Sequence, residues 1–171
     1  MPTTTYASTN AFNLAETAAV ATISGDAWLG SATNVKTVHA KIRTGEDIFV
    51  LYYPYELPAI GVQALGGGGD GKNTMGEFEI LVSLGFDCWA TGTTFTTADT
   101  TIKEIVARLR RLLRLQAFSP AVNAGSSALN GLLINGTIDV ERADFEHFPA
   151  KDGGWLVHSV TFANLTIISE D

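Results

Sequence analysis

The 171-residue, 18.2 kDa chain carries 18 acidic against 11 basic residues, giving a net charge of −7 and a pI near 4.8. That balance argues against a general affinity for nucleic acid, which needs Lys and Arg to displace counterions from phosphates. An apolar fraction of 46% with 17% charged residues excludes a disordered chain and suits one globular domain able to bury a sizeable core.

The opening "MPTTTYASTNAF" has neither the basic start nor the apolar run of a signal peptide, and no stretch reaches the length a membrane helix needs. A soluble protein made in the cytoplasm is expected, with residues 1–9 flexible. Asn10 is a good N-cap for a helix over residues 11–23, rich in alanine, weakly amphipathic and stopped by Ser24-Gly25-Asp26. In residues 30–56 "VKTVHAKIR" alternates partly like a strand while the stretch "DIFVLYYPYELP" that follows is apolar, aromatic and broken by two prolines, so 30–56 reads as an extended connection. "PAIGVQAL" (58–65) is predicted to be a core strand that the following glycine run ends, leaving 66–76 as a flexible loop.

From Glu77 to Cys88, Phe78, Ile80, Val82, Leu84, Phe86 and Cys88 alternate with Glu77, Glu79, Ser83 and Asp87, the period of a half-buried strand. "ADTTIKEIVARLRRLLRL" (98–115) is the strongest helix: Ile102, Ile105, Val106, Leu109, Leu112 and Leu113 fall within an arc of about 120°, with Arg111 opposite. Thr101 and Glu104 have capping-box spacing at its start. After a Pro/Gly/Ser/Asn stretch (119–131), "LLINGTIDVER" and "GWLVHSVTFANLTII" read as two strands separated by the turn-like "FPAKDGG". The elements imply a single α+β domain: a mixed or antiparallel four-stranded sheet with helices packed against it.

The chemistry is sparse. "LGGGGDGKNT" places Gly66, Gly71 and Lys72 at nucleotide-loop spacing, but Asn73 occupies the Ser/Thr slot and a strand follows where a phosphate loop needs a helix. Cys88 is the only cysteine, so no intrachain disulfide forms, and three dispersed histidines are poor material for zinc. The acidic run Asp139, Glu141, Asp144, Glu146 beside His147 is explained more cheaply as a solvated strand face and turn than as a metal or acid/base site. His39 and His158 have no nearby carboxylate in sequence. Ser126 and Ser127 form no nucleophile elbow, and Cys88 reads as a small buried hydrophobe. No catalytic residue, metal or cofactor is therefore assigned. Five of the eleven basic residues, Lys103, Arg108, Arg110, Arg111 and Arg114, cluster on the helix, either as a solvated surface or as a face meeting acid on a neighbouring subunit.

Four stretches resemble the tail terminator (tail completion) proteins of long-tailed bacteriophages: "YELPAIGVQALG", "GEFEILVSLGFDCWATG", "TIKEIVARLRRLL" and "GGWLVHSVTFANLTII". The resemblance covers most of the chain from about residue 10, in diffuse patterns rather than fixed residues, and does not account for residues 24–56. It implies a structural virion protein without enzymatic activity. Such a subunit would form a homo-hexameric ring at the head-proximal end of the tail tube, stop tube polymerisation and join tail to neck. Its implied partners are the tail tube protein, a neck or head-completion protein and a sheath protein where there is one, with DNA only passing through the lumen and no membrane contact. Another neck component such as a head-closure protein, or a small nucleotide-binding protein, is the alternative. The expected assembly contacts are Arg108, Arg111 and Arg114 with Gly67, Gly68, Gly69, Asp70 and Lys72.

Overall fold

Two helices lie on one face of a six-stranded mixed sheet in the computed structural model, which describes residues 11–40, 56–72, 78–117, 128–141 and 143–169. The expectations for residues 1–9, for 73–76 and for Ser126 and Ser127 lie outside these residues. Helix α1 (Ala11–Gly25) is followed by strands β1 (Thr37–Ala40), β2 (Ala59–Lys72) and β3 (Phe78–Gly92). Helix α2 (Phe95–Leu115), a short 3-10 turn (Asn130–Leu132), and strands β4 (Leu133–Val140), β5 (Asp144–Pro149) and β6 (Trp155–Ser169) complete the order. No helix among the described residues is long and apolar enough to cross a membrane.

The sheet runs β1-β2-β3-β6-β4, with β5 pairing the same edge of β6 as β4 does. Only β1 and β2 are parallel; the other pairings are antiparallel. α1 packs over β1, β2 and β3, and α2 over β3, β6 and β4. The helix-side half of the alternation read in β3 is realised, with Ile80, Val82, Leu84, Phe86, Cys88 and Ala90 buried beneath the helices, but the strand is not half-buried: Gly85, Asp87 and Trp89 on its other face are buried as well. β6 answers them in register with Ile167, Leu165, Ala163 and Val157. From α2, Ile102, Ile105, Val106, Leu109, Leu112 and Leu113 close the core, the same stripe that the helical period predicts.

Two strands were not anticipated, so the four-stranded sheet becomes six-stranded. β1 lies in the stretch read as connection, and four residues are too few to show a period. β5 lies in the acidic run read as strand face and turn. Its residues alternate exposed Asp144 and Glu146 with half-buried Phe145 and His147, and charge masks the pattern.

The predicted glycine loop is a second correction. β2 does not stop at Leu65 but continues to Lys72, paired with β3 down to Lys72 opposite Phe78, with irregularities between Ala64 and Gly66 and between Gly68 and Gly71. Between the two irregularities a glycine is needed at Gly67, because the backbone of β3 and then α1 approach it closely. A Cβ on Gly67 would press into the Leu81 carbonyl oxygen and come within 2.9 Å of Phe12 Cε1. α1 presents small Ala11, Ala15 and Ala19 to the sheet and one buried carboxylate, Glu16, whose Oε1 accepts the Ala64 N–H at 2.8 Å beside the first irregularity. That buried acid is why the helix looked weakly amphipathic.

The start of α2 also differs from expectation. The helix begins at Phe95, capped by Thr94, whose Oγ1 accepts the Thr97 N–H at 3.2 Å. Thr101 and Glu104 lie a turn or more inside the helix and form no capping box: Thr101 Oγ1 donates to the Thr97 carbonyl and Glu104 pairs with Arg108.

Candidate functional site

The basic residues of α2 fall at Lys103, Arg110 and Arg114 along one line and at Arg111 beside it, close to the spacing of successive helical turns. Together with Val106, Ala107 and Leu115 of α2, and with Ala143 and Phe145 at the start of β5, they line a groove of about 670 Å³. Its floor is apolar because the helix turns Val106 and Ala107 toward the aromatic ring that β5 directs inward. Its rim is cationic because the next residues along each turn are Lys or Arg.

The rim residues differ in what they already hold. Lys103 Nζ lies 2.6 Å from Asp99 Oδ2 and 5.9 Å from the centre of the Phe145 ring. Arg110 donates to the carbonyl oxygen of Glu141. Arg111 is exposed, and among the described residues neither it nor Arg114 has a hydrogen-bond or ion-pair partner. Arg108 is different again: it faces away from the groove, donates to Glu104 Oε1 at 2.9 Å and lies 4.3 Å over the Trp28 ring. Of the three arginines expected to act together, the structure thus brings Arg111 and Arg114 into one groove and gives Arg108 an intrachain role.

Two guanidinium groups without a partner among the described residues, over an apolar floor, can hold carboxylates presented by an apolar segment, and guanidinium is suited to such pairing because it is weakly hydrated and planar. Gly67, Gly68, Gly69, Asp70 and Lys72 do not join them. They lie on β2, separated from β4 and β5 by β3 and β6.

The opposite face of the sheet holds a cluster that sequence reasoning missed. His158 Nε2–H donates to Asp87 Oδ1, its Nδ1 lies 3.6 Å from Glu146 Oε2, and its ring stacks on Trp89. Leu57, Ala59, Leu156 and Phe148 pack around Trp89. Burial disfavours the His158 imidazolium, but the hydrogen bond and charge of Asp87, with Glu146 behind them, outweigh it and raise its pKa above the ordinary histidine value. His39 likewise meets Glu56, at 4.0 Å, and His147 Nε2 meets Asp99 Oδ1 at 2.8 Å. Asp99 is held below the usual carboxylate range, first by the hydrogen bond from Lys103 and then by that from His147.

This correction has a simple origin: Asp87 and His158 are adjacent only through the register of β3 with β6, which neither strand's own sequence reveals. The cluster offers an imidazole between two carboxylates, yet among the described residues no nucleophile stands beside it. Ser159 turns to the helix side and is buried, and the buried Cys88 thiol is pushed up by its burial and by Asp87. Among the described residues no group of three or more potential metal ligands converges.

Comparison with known proteins yields no matching protein-family model and no matching curated protein.

Proposed function

We propose that this chain is a structural subunit that assembles into a ring at the head-proximal end of a bacteriophage tail tube, terminates tube polymerisation and joins the tail to the neck. Support comes from the family resemblance in the order of elements and in four stretches between Tyr55 and Ile168, and from an α+β unit of two helices on a mixed sheet. The observation that carries most weight is the groove of α2. Two arginines that no described residue pairs, set over apolar residues on a chain otherwise strongly acidic, form a surface suited to protein contact rather than catalysis.

Ring closure needs heterologous contacts whose rotation closes. Negative-stain imaging of the purified protein, alone and mixed with tail tubes, tests the reading: rings and capped tube ends are expected. A protein that stays monomeric beside tubes and neck proteins contradicts it. One that co-purifies with neck proteins and leaves tubes uncapped belongs to another station of the neck.

A further inference from the structure

We infer that the groove of α2 receives the acidic strip of β4 and β5 from a second copy of this chain, on the reading of the protein as a ring subunit. Asp139, Glu141, Asp144 and Glu146 are all exposed. Asp139 stands opposite Asn164, Asp144 opposite Val160 and Glu146 opposite His158. These β6 residues belong to the row that faces away from the helices, as do their β3 partners Ser83, Asp87 and Trp89. The acids therefore line the sheet face opposite α2, while Phe145, between two of them, faces the groove.

One subunit thus carries the two halves of a contact on opposite sides of its sheet. The halves match in sign: outside the five basic residues of α2, six basic residues stand against 18 acidic ones in the whole chain. They also match in length. The strip from Asp139 to Glu146 follows β6 from Asn164 to His158, about 20 Å at about 3.3 Å per residue. Lys103 to Arg114 follows α2 for about 17 Å at about 1.5 Å per residue. Because donor and acceptor surfaces lie on different faces, the contact cannot be two-fold and self-complementary. It is head-to-tail, the kind that closes into a ring where its rotation allows and runs into a filament where it does not.

Sedimentation of four proteins tests this: the unmodified chain, Arg111→Glu with Arg114→Glu, Asp139→Lys with Asp144→Lys, and the combination of all four substitutions. Each pair alone should weaken self-association by roughly tenfold or more, with unchanged circular dichroism, and the combined variant should regain much of the loss because the signs are exchanged. Assembly that survives either reversal, or a combined variant no better than the single pairs, overturns the contact. Rings that persist in both reversed variants and still cap tubes overturn it while leaving the terminator reading in place. Charge-exchanged rescue with tubes left uncapped keeps the contact and removes the terminator role.

Discussion

Trp89 and His158 are cross-strand partners whose rings stack with centroids 4.2 Å apart and planes 21° from parallel. The imidazole is held against a π face on one side and joined to the Asp87 carboxylate at its edge, so its charged form is favoured in the folded protein. A raised folded-state pKa stabilises below the unfolded value near 6.5, and that stabilisation is lost as pH rises through the folded value. Melting temperatures of the unmodified protein and of Asp87→Asn, compared across pH, should differ most below about pH 6 and converge toward alkaline pH. A gap independent of pH would mean that Asp87 acts through packing alone.

Glu16 and Ala64 make a second paired prediction. Glu16 is 7% exposed and accepts the Ala64 N–H at 2.8 Å. Glu16→Ala should therefore cost about 1–3 kcal/mol by orphaning a backbone donor beside a strand irregularity. Glu16→Gln, which keeps an acceptor oxygen, should recover most of it in chemical denaturation. Equal losses would remove the hydrogen bond from the explanation.

At Gly67, added side-chain volume meets Phe12 and the backbone of β3. Gly67→Val should destabilise by about 1–3 kcal/mol, as overpacking does elsewhere. Deleting Gly67 to Gly71 should be worse, because it removes paired residues from β2 and not slack from a loop. Tolerance of the deletion with an unchanged Tm would restore the loop reading.

The two faces of α2 can be separated by substitution. Leu109 is fully buried, and Leu109→Ala should cost about 2–5 kcal/mol. Arg111, exposed and without a partner among the described residues, should lose less than about 1 kcal/mol when replaced by alanine. If the two variants melt together, the division into core stripe and contact face fails.

Nucleotide should leave the protein unmoved. Gly66 to Lys72 form strand, and the next described element is β3 rather than a helix whose N-terminus could cradle phosphate. Millimolar ATP or GTP with magnesium should give no shift in Tm. A rise of several degrees, reversed by Lys72→Ala, would overturn this.

What was readable in the sequence follows from how each element is buried. β3 and α2 each show one apolar face to the helix-side core, so Phe86 or Leu109 could be placed by counting, but the burial of Asp87 and Trp89 on the other face of β3 does not follow the period. Glycines carry no side chain, so the continuation of β2 left no pattern to count, although its backbone pairs with β3 down to Lys72 through two irregularities. β5 was hidden for another reason: its outward residues are acids and its inward ones include His147, a residue equally at home in a turn. In the candidate site, the clustering of arginines was visible. The separation of Arg108 from Arg111 and Arg114 was not, because it depends on Trp28 and on the Ala143 to Phe145 segment, both distant in sequence.

β6, the last strand in chain order, is not at an edge: β3 borders it on one side and β4 and β5 on the other. The order of synthesis therefore differs from the order of the sheet. Until residues 155–169 have emerged, β3 offers a bare row of amide and carbonyl groups, and β4 and β5 have no strand to join. Chains stopped before Trp155 should accumulate as sticky, protease-sensitive species, since unpaired strand edges template aggregation and distant pairings form slowly. Completion of this one strand converts two unfinished halves into a single folded body.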